Sequence, residues 1–72
     1  MWILTSLGQR VNTDKISLYY ISEQQGNTDV CQLTAMVQEI KQPIMLAVGT
    51  REECEAIAVW LDEATGVVEL AS

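Results

Sequence analysis

The stretch Thr50-Arg51-Glu52-Glu53-Cys54-Glu55-Ala56-Ile57-Ala58-Val59-Trp60-Leu61-Asp62-Glu63-Ala64-Thr65-Gly66 reads as one complete amphipathic helix. Thr50 stands where an N-cap is wanted and Glu53 follows three residues on, the pattern of a reciprocal capping box. Glu52, Glu53 and Glu55 suit the positive end of the helix dipole. Cys54, Ile57, Ala58 and Leu61 recur at i, i+3, i+4 and i+7, the spacing of a buried stripe. Gly66 supplies the stop. Asp62 and Glu63 sit at the unfavourable end of the dipole, a cost for which the sequence names no compensation.

Everything before this helix reads as strand and turn. Trp2 to Leu7 is a first strand, and Gly8-Gln9-Arg10 a turn. Val11 to Lys15 is an irregular connection rich in turn formers. Ile16 to Ile21 is a second strand, with Ile16, Leu18 and Tyr20 on one face and Ser17, Tyr19 and Ile21 on the other. A hairpin loop over Glu23–Asp29 follows, in which Gly26-Asn27 tolerates positive φ. Val30 to Val37 is a third strand, with Cys31, Leu33, Ala35 and Val37 on one face and Val30, Gln32, Thr34 and Met36 on the other. After a polar turn, Pro43 opens a fourth strand, Ile44 to Val48, at a place where its missing N–H is tolerated. Val67 to Leu70 is either a fifth strand or a tail.

The expected fold is therefore α+β: an antiparallel meander of four strands, or five with the tail, and one C-terminal helix packed on one face. Residues 1–72 form a single domain. Cys54, Ile57, Leu61 and Leu33 are expected to be buried together. The first and fourth strands, as edges of such a meander, carry no charged residue, and exposed edges recruit partners. The face away from the helix keeps aliphatic and tyrosine side chains that nothing else in the chain can cover.

A chain of 72 residues buries only about 60–65% of its unfolded surface. Its core alone supplies on the order of 3–5 kcal/mol. Self-association is one way to add to that. Net charge is −6 and unevenly placed. In residues 1–50, Arg10, Lys15 and Lys41 stand against Asp14, Glu23, Asp29 and Glu39. In residues 51–72, Arg51 alone stands against Glu52, Glu53, Glu55, Asp62, Glu63 and Glu69. So few dispersed cations argue against direct binding to nucleic acid or to an anionic membrane. The amino terminus lacks the pattern of a signal peptide, and no apolar run approaches a membrane span. A cytoplasmic address is expected, with Cys31 and Cys54 as reduced thiols.

The chemistry-bearing residues form no constellation. The chain has no histidine, so neither cysteine, nor Ser17, nor any threonine has the base that nucleophilic catalysis needs. Glu52, Glu55 and Glu63 on the outer helix face, with Asp14 and Asp29 in loops, could serve a hard cation, but no calcium-binding loop pattern joins them. The isolated glycines form no phosphate-binding loop. No enzyme activity, metal or cofactor is expected. Contact with a partner is a different matter, since tryptophan and tyrosine are enriched at interfaces. By helical projection Val59 lies among the outward carboxylates and Trp60 on the flank of the stripe. Trp2 lies on an outer strand, and Tyr19 and Tyr20 point to opposite sheet faces. The candidate partner contacts are Trp60, Val59, Trp2 and Tyr19.

Over most of its length the chain resembles a group of small, uncharacterised bacterial and phage proteins. The residues that carry the likeness are Met1-Trp2-Ile3, Gly8, Val11-Asn12, Ile16 to Ile21, Ile44 to Val48, and Thr50-Arg51-Glu52-Glu53-Cys54-Glu55-Ala56. The resemblance implies a meander closed by an acidic terminal helix and carries no catalytic motif. The leading expectation is a small acidic interaction or assembly module, most simply a homodimer. The alternative is an acidic inhibitor or antitoxin-like protein whose carboxylate-rich helix occupies the basic, nucleic-acid-binding surface of another protein.

Overall fold

The computed structural model describes residues 1–24 and 26–70, with Asn27 and Thr28 described by their backbone alone. Gln25 of the expected hairpin loop, and residues 71–72 of the tail, lie outside the described residues. The elements are β1 (Trp2–Leu4), β2 (Arg10–Asn12), a 3₁₀ turn (Thr13–Lys15), β3 (Ile16–Gln24), β4 (Asn27–Val37), β5 (Ile44–Gly49) and α1 (Arg51–Thr65). The class is α+β, with antiparallel sheets and one C-terminal helix. The single four-stranded meander is corrected: β1 and β2 form a separate ribbon, and β3-β4-β5 form a three-stranded sheet.

The ribbon arises where the sequence suggests only a turn and an irregular connection. Gly8 takes φ 84°, a left-handed conformation that costs a glycine little. Thr5 then closes the reversal: its N–H donates to Gln9 O at 2.7 Å, and its carbonyl accepts from Gly8 N–H at 3.0 Å. The expected first strand therefore stops at Leu4 and pairs back on Arg10–Asn12. One bond ties the ribbon's turn to the main sheet, from Ser6 N–H to Leu46 O at 3.0 Å. Ile3 and Val11 face each other across the ribbon and join the core.

Of three register shifts in the main sheet, one lies at the hairpin between Glu23 and Gln24, and the other two set the faces. Ile16 lies opposite Val37 and Leu18 opposite Met36, so Ser17 is an extra residue on β3. Its hydroxyl donates to Met36 O at 3.1 Å. A bulge re-aims the side chains on either side of it. Ile16 thus packs against the core while Leu18 and Tyr20 stay exposed, which corrects the expected shared face. On β5, Ala47 lies opposite Leu33 and Met45 opposite Thr34, leaving Leu46 as the extra residue. Leu46 and Ala47 are consequently both buried. The hairpin between β3 and β4 is tighter than expected, with Gln24 paired to Asn27. Val67 to Leu70 form no strand.

The core lies between the sheet and α1. Leu33, Leu61, Cys31 and Cys54 are fully buried, with Val11, Ala35, Val37, Leu46 and Ala47 around them. Ile57 is the exception to the expected stripe, at 38% exposure. The helix is rolled so that Cys54, Ala58 and Leu61 meet the sheet and Ile57 moves to the flank. Ile3 and Val11 bring the ribbon to the same core as the helix, while Leu7 and Gln9 of its turn line a cleft with Pro43 and Met45.

Candidate interaction surfaces

The helix is held at both ends by side chains. At its start, Glu53 N–H donates to Thr50 Oγ1 at 3.1 Å and Thr50 N–H donates to Glu53 Oε1 at 2.9 Å, completing the expected capping box. These donors hold the Glu53 carboxyl below its ordinary range: the Thr50 backbone N–H first, the Thr50 side chain second. Arg51 bridges Glu23 on β3 at 3.2 Å and Glu55 at 3.7 Å. At the far end Gly66 closes the helix at φ 76°. The Tyr19 hydroxyl donates to Asp62 Oδ1 at 2.6 Å. That bond compensates a carboxylate which stands at the wrong end of the dipole.

The four candidate contacts are dispersed. Trp2, on the outward side of β1, is 69% exposed and lines a cleft of about 490 Å³ with Arg10, Lys15, Val37 and Ile40. Trp60, 45% exposed, lines a second cleft of about 410 Å³ with Ile57, Leu46 and the ribbon residues Ile3 and Leu4. Val59 is exposed and belongs to neither cleft. Tyr19 lies on the helix side of the sheet, opposite Ala35, with its hydroxyl committed to Asp62. Burial and the Asp62 hydrogen bond both push its pKa up. Tyr20, not Tyr19, is the tyrosine on the face away from the helix.

That face is ordered by the strand register. Leu18 stands beside Met36, Tyr20 beside Thr34 and Thr34 beside Met45, and Ser22 beside Gln32 and Gln32 beside Val48. Leu18, Tyr20 and Val48 are exposed; Met36, Met45 and Gln32 are half-buried; Thr34 is buried between its neighbours. None of these residues carries a formal charge. Leu18, Tyr20 and Val48 are therefore the surface residues that sequence reasoning missed. The parity of β4 would have revealed them, once Cys31, Leu33 and Ala35 were placed toward the helix.

One main-sheet edge is as expected and one is corrected. β5, the expected fourth strand, is an edge, but the other edge is β3 and not the first strand, which lies in the ribbon. The β5 edge receives Ser6 N–H. Along β3 no charged residue occurs before Glu23.

No reactive constellation emerges among the described residues. Cys31 and Cys54 are free and buried. Burial pushes the Cys54 thiol pKa up, and the neighbouring Cys31 adds to that. No cluster of three potential metal ligands occurs among the described residues, and no described helix is long and apolar enough to cross a membrane. No buried side-chain nitrogen or oxygen among the described residues lacks a hydrogen-bond partner. No protein-family model, curated protein or solved structure matches the chain.

Proposed function

We propose that this protein is a small acidic interaction module without enzymatic activity, which works in the cytoplasm as a homo-oligomer, most simply a twofold dimer. The observation that carries this reading is the amount of apolar surface outside the core. Trp2, Leu4, Leu7, Leu18, Tyr20, Val48 and Trp60 are all exposed in the single chain. Contiguous exposed apolar patches mark interaction sites, and Leu18, Tyr20 and Val48 share one sheet face. A small domain gains stability when such surface is buried against a partner.

The test is mass in solution by sedimentation at micromolar concentration, together with melting at several concentrations. A dimer whose melting temperature rises with concentration supports the reading. A monomer with concentration-independent melting removes it.

A second reading has its own observation. Glu52, Glu55 and Glu63 are exposed on α1, which gives the helix an anionic outer face suited to a basic partner. In that case the protein is an acidic inhibitor or antitoxin-like decoy for a nucleic-acid-binding surface. A pull-down at low and high salt separates the two, since salt releases an electrostatic partner and leaves apolar self-association in place.

A further inference from the structure

We infer that the cleft beside Trp2 is a binding site for a small ring-bearing anion, whose flat ring lies against the Trp2 indole and whose carboxylate or phosphate is held by Arg10 and Lys15. The inference goes beyond the assembly reading and does not depend on it.

The cleft holds about 490 Å³, within the roughly 300–1,000 Å³ of small-ligand sites. Its walls come from the ribbon, the 3₁₀ turn and the turn that follows β4. Backbone groups pin each wall to the next. Thr13 donates to Met1 O from its N–H at 2.8 Å and from its hydroxyl at 3.0 Å, which sets the start of β1 against the 3₁₀ turn. Gln38 N–H donates to Lys15 O at 2.8 Å, which ties the 3₁₀ turn to the end of β4. Ile40 N–H closes the last turn on Val37 O at 3.1 Å. The walls are therefore built before a ligand arrives, and little ordering is left for binding to drive.

The charge of the cleft runs against that of the molecule. Four basic residues face ten acidic ones along the chain, yet Arg10 and Lys15 share this wall with Glu39 alone. Neither cation makes an ion pair among the described residues, where the salt bridges belong to the amino terminus and to Arg51. Both are exposed. One anionic group neutralises the wall, and the arginine fork matches a carboxylate or a phosphate with two parallel hydrogen bonds. A long polyanion gains nothing further, because so few cations cannot follow a phosphate backbone.

The apolar part of the cleft asks for a ring. Trp2 is 69% exposed, with Ile40, Val37 and Ile44 on the same cleft. Aromatic rings stack in offset on such an indole. An aryl carboxylate and a nucleoside monophosphate share this chemistry of one ring and one anionic group. The cleft beside Trp60 has an indole too, but no charged residue on its wall, which makes it the internal comparison.

The experiment is titration of the full chain with adenosine monophosphate and, separately, with indole-3-carboxylate. It is followed by NMR of the backbone amides and the two indole N–H groups. Saturable shifts should gather at Trp2, Lys15, Gln38 and Ile40 and leave the Trp60 indole in place. Saturation by either compound supports the site, and the tighter of the two identifies the anion as phosphate or carboxylate. Adenosine and indole, which keep a ring and lack the charge, should bind roughly tenfold more weakly than their charged counterparts. Affinity for the charged compounds should fall as salt rises. Arg10→Gln/Lys15→Gln should abolish the advantage of charge and leave adenosine and indole unaffected, with circular dichroism to check the fold. Absence of saturable shifts with both compounds up to millimolar concentration overturns the site. So do shifts centred on Trp60, or equal binding of charged and uncharged counterparts to the wild type, and these results need no variant. None of them bears on self-association, which sedimentation reads separately.

Discussion

The hydroxyl of Tyr19 on β3 donates to Asp62 on α1 across 2.6 Å, joining residues 43 positions apart and tying the last turns of the helix to the sheet. The bond lies on the side of the helix consistent with the burial of Cys54 and Leu61 and the exposure of Ile57. Tyr19→Phe keeps the ring and removes the bond, and should cost about 1–2 kcal/mol, as for a hydrogen bond to a charged acceptor in a partly exposed place. The folded-state pKa of Tyr19 is raised. Its contribution is therefore complete below the unfolded value near 10 and is lost as pH rises through the folded one. Urea titrations from neutral to strongly alkaline pH should show a wild-type decline that Tyr19→Phe reduces. Equal declines in the two proteins would dismiss this role.

Gly49 has an equally specific neighbour. A Cβ built at Gly49 would stand 2.9 Å from Glu53 Oε1, the atom that accepts the Thr50 N–H. Gly49→Ala should push the carboxylate off the cap and lower the melting temperature. The same change in a Glu53→Ala background should do so much less. Thr50→Ala should cost about 0.5–2 kcal/mol. The Glu53 pKa is depressed in the fold, so its contribution is present above the unfolded value and is lost as pH falls through the folded one. Acid titration of Glu53→Gln should be flatter than that of the wild type. Additive effects of Gly49→Ala and Glu53→Ala would argue against the contact.

The two leucine-like positions of the helix stripe should behave differently. Leu61 is fully buried and Ile57 is 38% exposed. Leu61→Ala should cost about 2–5 kcal/mol, enough to unfold much of so small a domain. Ile57→Ala removes a side chain from a cleft wall and should cost roughly 1 kcal/mol. Chemical denaturation of both variants ranks them, and equal losses would restore Ile57 to the core.

Cys31 and Cys54 should remain thiols that a water-soluble thiol reagent reaches slowly. Both are buried, and the raised pKa of Cys54 lowers its thiolate population, which is the reactive form. Labelling in the native state should proceed at the rate of transient opening and accelerate in denaturant. Immediate labelling without denaturant, or a Cys31–Cys54 bridge in freshly isolated protein, would contradict this.

The elements whose signals are local can be read along the chain. The capping residues Thr50 and Glu53, the stop at Gly66 and the strands around Leu33 and Ala47 each declare themselves within a few residues, because caps and alternation act over one turn or one pleat. How those elements face one another depends on contacts between distant residues. Period-two alternation places Ile16 with Leu18 and Tyr20. An extra residue at Ser17, visible only against β4, turns Ile16 toward the core and leaves the other two in the open. Helical periodicity admits Ile57 and Ala58 equally to the buried side, and the packing of Cys54 and Leu61 against the sheet leaves Ala58 inward and Ile57 on the flank. The ribbon depends on Thr5 meeting Gln9 and on Ser6 reaching Leu46. The outward sheet face appears only once the helix has settled on the other side. Register and layer order are set by contacts between distant residues, and a one-residue shift that local patterning cannot see exchanges the two faces of a strand.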